Sequence, residues 1–180
     1  MNAIPDELEK KAQEIILHYP PEHRGAALVP ILLEAQKSLG CLTPDVETWV
    51  ADTLGVTPVR VREVISFYTM MHRKPVGKYH IMFCHNVTCS LRGAEDLQEY
   101  LETKLGIKTG EVSDDGLFSL AEVECLGACG WGPVMLVNEE QYFQLTRDKI
   151  DKIIDELRQG RMPPGDSPTP LIGNVASPAA

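Results

Sequence analysis

Five cysteines occur in the chain, and four of them fall into two short segments. The first reads Cys84-His85-Asn86-Val87-Thr88-Cys89, and the second reads Cys125-Leu126-Gly127-Ala128-Cys129. Two such clips, far apart in sequence, are what a chain needs to bring four thiolates to one inorganic centre. Four cysteine thiolates are the usual ligands of a [2Fe–2S] cluster, and with two thiolates per iron each clip can serve one metal. The same four ligands could hold a structural zinc, although zinc knuckles more often use C-x₂-C. The glycines that follow, Gly127, Gly130 and Gly132, let the backbone approach sulfur and point N–H groups at it. Such hydrogen bonds raise a cluster potential, and the neighbouring acids Glu122 and Glu124 lower it. No nucleophile–base–acid set can be defended, so no catalytic residue is assigned. On this reading the cluster would carry the chemistry, an electron relay, and the protein would bind and tune it.

The remaining candidates give way to plainer roles. Cys41 lies beside Leu42 between two expected helices and reads as a buried apolar thiol. His85 follows the first ligand directly, but a Rieske centre needs two histidines on one iron and no second one lies near either clip. His85 is therefore a neighbour that can modulate charge. His18, His23, His72 and His80 are scattered. The chain lacks a C-x-x-C redox pair, a G-x-G-x-x-G following a strand and a P-loop. Pro133 follows the second clip and is expected trans, the default for X-Pro.

The elements that must position the clips follow from periodicity. Leu8, Ala12, Ile15 and Ile16 mark one face of a first helix, ended at Tyr19-Pro20-Pro21. A second helix is expected from about Arg24 to Leu39, with Pro30 in its first turn or at a kink and Gly40 as its C′ residue. Thr43-Pro44 and Thr57-Pro58 each place a capping hydroxyl before a proline at N1 of two more helices. After Pro75 and Gly77 the pattern becomes strand-like. Lys78 to Phe83 runs into Cys84, and Gly116 to Glu124 runs into Cys125. Between them a helix is expected from Gly93 to Leu105. Val134–Val137 and Tyr142–Gln144 bracket a hairpin, and Thr146 caps a last helix closed by Gly160.

The fold class is therefore α+β/α/β. A helical bundle over 1–75 precedes a β-α-β-β-α domain over 76–160 with thioredoxin-like layers, and a Pro/Ser/Gly-rich tail, expected to be flexible, occupies 161–180. Both clips would directly follow strands, and adjacent strands would place them at one end of the sheet.

Composition narrows the setting. With 17 Lys+Arg against 26 Asp+Glu the formal charge is −9, which opposes a nucleic-acid or anionic-membrane partner. No apolar run nears the roughly 18 residues that a membrane span needs. The N-terminus has neither the basic nor the apolar part of a signal peptide. The expected compartment is the cytosol, where clustered cysteines more often bind metal than form structural disulfides.

Taken together, the motifs resemble a known family. Cys84-His-Asn-Val-Thr-Cys-Ser-Leu-Arg-Gly93, the run from Asp115 to Cys129, Gly132-Pro-Val-Met-Leu-Val-Asn138 and Ser66-Phe67-Tyr68 are similar to the NuoE-type subunit of respiratory NADH:quinone oxidoreductase, complex I, over roughly residues 10 to 158. One departure is Glu63 before Val64-Ile65-Ser66, where the family often has glycine. The resemblance implies one [2Fe–2S] cluster on Cys84, Cys89, Cys125 and Cys129. It also implies a larger NuoF-type partner subunit that binds FMN, NADH and a [4Fe–4S] cluster, within the peripheral arm of complex I. Single electrons would pass between that flavin and this chain. The enzyme label, NADH dehydrogenase, would belong to the complex. A bacterial host would place it at the cytoplasmic face of the inner membrane. Relatives serving NAD-linked hydrogenases and formate dehydrogenases share the pattern.

Two readings of other classes stay open at this point. One is a structural Cys₄ zinc module. The other is a helix-turn-helix DNA binder over Val50–Ile65, with Arg60 and Arg62 for phosphate, although Val59 and Val61 occupy positions that should read bases. Trp49, Phe67, Tyr68, Met70 and Met71 exceed what four short helices easily hide. They are expected either to dock on the flavin subunit or to pack on the second domain.

Overall fold

Tyr79–Cys84 forms β1, and all six of its residues are buried. A strand buried on both faces needs neighbours at both edges. β1 has β2 (Phe118–Val123) in parallel on one side and β3 (Met135–Val137) antiparallel on the other, with β4 (Glu140–Tyr142) beyond, in the order β2-β1-β3-β4. This sheet belongs to the second of two compact units, which divide between Val76 and Gly77. The structure is a computed structural model, and it describes residues 4–166.

The first unit is helical: α1 (Asp6–Ile16), α2 (Leu28–Leu39), α3 (Pro44–Leu54) and α4 (Pro58–Phe67), with a 3₁₀ segment over Pro21–Ala27. The expected second helix is thus shorter. Its first residues tighten into 3₁₀ geometry, and Pro30 then falls at the third position of α2, where its missing N–H has no intrahelical partner to lose. Of the two Thr-Pro starts, Thr57 accepts from the Arg60 N–H, whereas Thr43 makes no side-chain cap. Leu8, Ile31, Leu32, Val50, Val61 and Ile65 are among the buried residues of this core. Glu47 is buried at 2% and is met by the Arg62 guanidinium on one oxygen and Arg73 Nε on the other. Arg60 pairs with Glu63. Both arginines that a DNA reading requires are therefore engaged by carboxylates of their own unit.

In the second unit α5 (Val87–Ser90) and α6 (Ala94–Leu105) connect β1 to β2, and α7 (Arg147–Arg158) follows β4. Its core joins Ile81 and Phe83 of β1 with Leu101 of α6 and Ile150, Ile154 and Leu157 of α7. Gly77 admits no side chain, since a Cβ there would lie 2.4 Å from the Phe118 carbonyl carbon. Its N–H donates to Ser119 Oγ, which also meets His80 Nδ1 at 2.8 Å. The β3–β4 turn is tighter than expected: Val137 pairs with Glu140, so two residues make it, and Asn138 takes a positive φ of 53°.

Of the segment read as a tail, residues 163–166 are tied back to the unit. Tyr142 donates to the Pro163 carbonyl, Gly165 N–H to Glu140, and Asp166 meets Lys149 and the Phe143 N–H. The part of the tail from 167 onward lies outside the described residues.

Candidate metal centre

Parallel pairing of β1 with β2 decides where the two clips lie. Cys84 ends β1 opposite Val123, the last residue of β2, and the His85 N–H continues the ladder to the Val123 carbonyl. Cys125 stands two residues past Val123. Both clips therefore leave the same end of the sheet, and the long stretch of chain between them is closed by a register of backbone hydrogen bonds.

Within the first clip the chain turns at once into α5. Asn86 is its N-cap: the side-chain oxygen accepts from the Val87 N–H, and the backbone carbonyl accepts from Cys89 and Ser90. This turn brings Cys89 back toward Cys84. Both are 2% exposed, and their thiols share a hydrogen bond. Burial and then Cys84 push the Cys89 thiol up to about 11, while a backbone hydrogen bond from Val134 opposes the rise.

The second clip is a loop closed by a short 3₁₀ turn over Cys129–Trp131. Gly127 takes a φ of 79° and aims its N–H at Cys125 Sγ, 3.4 Å away. Cys125 and Cys129 are exposed, with their sulfurs 3.1 Å apart. The hydrogen bond from Cys129, followed by that of Gly127, holds Cys125 below the ordinary thiol range, and the same contact raises Cys129. The two clips also feel one another: charge on Cys129 raises Cys89, and charge on Cys84 raises Cys129.

Gly132 completes the cradle. A Cβ there would lie 3.3 Å from Cys89 Sγ and 3.5 Å from Arg92 Cδ, so a side chain would press on a sulfur. The peptide from Gly132 to Pro133 is cis, against the expectation of trans. Arg92 donates to the Gly132 carbonyl at 3.2 Å. Among the described residues no three His, Cys, Asp or Glu side chains gather around a single metal position. The four thiols meet instead as two pairs, one buried and one exposed. Such a set fits a two-iron cluster, whose thiolates are shared two to each metal.

The two acids singled out by sequence part company. Glu122 accepts from the half-buried Gln98 of α6. Glu124 accepts from Asn86 Nδ2 at 2.9 Å, with His85 Nε2 at 3.8 Å. Cys41 is a buried free thiol of the first unit. Asn86, Arg92 and Gln98 were not singled out by sequence. The capping preference of Asn ahead of a short helix is the one signal that could have found the first of them.

A β-α-β-β-α unit with two cysteine clips at one end of its parallel strand pair defines an iron–sulfur carrier on a thioredoxin-like layer. The chain belongs to the thioredoxin-like [2Fe-2S] ferredoxin family, whose model matches residues 12–158. Among curated relatives it is similar to the NuoE-type NADH-quinone oxidoreductase chain of Rickettsia conorii, with 45% identity over 82% of this chain and 89% of the relative. It is also similar to NADH-quinone oxidoreductase subunit 2 of Thermus thermophilus, with 41% identity over 87% of each. The NuoE-type resemblance drawn from the motifs is thereby borne out. Of solved structures, an NAD+-reducing [NiFe]-hydrogenase in the air-oxidized state shares the fold at a TM-score of 0.65 and 21% identity, over 74% of this chain and 23% of that one.

Proposed function

We propose that Cys84, Cys89, Cys125 and Cys129 hold one [2Fe–2S] cluster and that the chain serves as an electron-transfer subunit of NADH:quinone oxidoreductase. The observation that carries this reading is the paired geometry of the thiols at one end of the β1–β2 pair. When bound, such a cluster accepts and releases one electron at a time. The chain's own residues do the rest. β1 and α5 bury Cys84 and Cys89 away from water. Gly127 and Val134 offer backbone hydrogen bonds to sulfur. Gly132 leaves room beside Cys89. The Cys125–Cys129 side is exposed, so a donor can approach it closely.

The donor in this reading is the flavin of a NuoF-type subunit, which binds FMN, NADH and a [4Fe–4S] cluster in the peripheral arm of the complex. The site would face the cytoplasm at the inner membrane of a bacterium. No helix among the described residues is long and apolar enough to cross a membrane, which suits a peripheral subunit. The names of relatives at 40–46% identity favour this host over a hydrogenase.

The purified chain is expected to be reddish-brown and to give an EPR signal of one unpaired electron after reduction. NADH is expected to reduce it only when the flavin subunit is added. A colourless protein with no reducible chromophore, or reduction by NADH without the partner, would overturn the assignment.

A further inference from the structure

The two clips are joined by a side-chain contact that crosses 38 residues of sequence: Asn86 Nδ2 donates to Glu124 Oε2 at 2.9 Å. Each partner sits next to a ligand loop. Asn86 lies between Cys84 and Cys89, and Glu124 directly precedes Cys125. Asn86 is fully committed within its own clip. Its side-chain oxygen caps α5, and its carbonyl takes the N–H of Cys89 itself. Only its amide nitrogen is left to reach across. On the other side Glu124 follows the last residue of β2, where the ladder has ended and, among the described residues, no backbone bond ties the start of the second clip to the first beyond His85. Glu122, two residues earlier, is taken by Gln98 and faces α6 instead.

We propose that Asn86 and Glu124 form a clasp that fixes the separation of the two cysteine loops, making both positioning residues for the cluster. The inference rests on the ligand assignment above and goes one step past it. The clasp ties the buried thiol pair, through α5, to the exposed pair, through the approach to Cys125. Residues that orient metal ligands from behind commonly change metal retention by about 10- to 100-fold when removed. Because the contact is exposed, its worth to the stability of the fold is small, so its effect falls on cluster retention and not on folding.

The test uses the full chain with its cluster and follows loss of visible absorbance to an iron chelator, with circular dichroism as a control for folding. Asn86→Asp keeps an N-cap oxygen but cannot donate to a carboxylate. Glu124→Ala removes the acceptor and leaves the cap of α5 untouched. Both are expected to release iron about tenfold faster than wild type, with unchanged melting. Glu124→Gln still offers an oxygen to Asn86 and should release iron at the wild-type rate. Its reduction midpoint should rise, because a negative charge beside Cys125 has gone. The double variant Asn86→Ala/Glu124→Ala should release no faster than the quicker of its single parents, since both break one contact. Wild-type release rates in Glu124→Ala, or fully multiplicative effects in the double variant, would overturn the clasp while leaving the cluster assignment standing. A wild-type chain that assembles no two-iron cluster would overturn both.

Discussion

Gly132 is where a single atom has the clearest consequence. A methyl group at that position would stand 3.3 Å from Cys89 Sγ, with the Cys89 Cα 3.7 Å away to limit retreat. Gly132→Ala is expected to fold normally and to bind less iron than wild type when the two are reconstituted side by side. Full iron content with an unaltered EPR line shape would show that the cradle has slack there. The ligands themselves were legible, because cysteine is rare and its spacing announces metal chemistry. Asn86 and Arg92 were not, because their value depends on contacts 38 and 40 residues distant, which only the β1–β2 register creates. The opposite fates of Glu122 and Glu124 were hidden for a similar reason. Successive side chains around a strand end point to different sides, and sequence shows both simply as acids near a cysteine.

The elements hold the site by packing and by a few polar ties. Ile154 of α7 is fully buried in the core that contains β1. Ile154→Ala is expected to cost about 2–5 kcal/mol in a urea titration of the second unit's unfolding. A loss under about 1 kcal/mol would mean that α7 is not part of that core. Between α6 and α7, the Tyr100 hydroxyl donates to Asp151 at 2.6 Å and Lys104 Nζ pairs with it at 2.9 Å. These partners, Tyr100 first, hold the Asp151 carboxyl below its ordinary value of 3.8. A carboxylate with a lowered folded pKa contributes stability that is complete above its unfolded value and fades as pH falls through the folded one. Asp151→Asn should therefore narrow the gap between melting temperatures at neutral pH and at about pH 3, compared with wild type on the same preparation. An unchanged gap would remove Asp151 from the acid response. The long helices were legible because apolar residues recur along one face: Ile150, Ile153, Ile154 and Leu157 are all buried as spaced. α5 was not, since four residues are too few to show a period. The 3₁₀ start before α2 and the tight turn at Asn138 likewise follow from local backbone geometry and not from hydrophobic pattern.

At the scale of the whole molecule, the first unit exposes more apolar surface than its own fold needs. Phe67 is 77% exposed, and Tyr68 and Met70 are also open, along an indentation lined by Leu28, Val29, Val56 and Val64. Met71, grouped with them on sequence, is instead buried. In the proposed complex this surface is available to the flavin subunit. Phe67→Ala is expected to weaken its affinity by about tenfold or more, as for an aromatic anchor, while leaving the cluster's EPR signal unchanged. Equal affinity would place the contact elsewhere. The proposed function stands on four thiols meeting as two pairs, and native mass spectrometry of the intact chain reads that most directly. The predicted mass is that of the chain with two irons and two sulfides, lost when Cys84 or Cys125 is replaced by serine and kept when Cys41 is. A chain carrying one zinc and no sulfide, or a two-iron mass that survives the loss of Cys84 or Cys125, would contradict it.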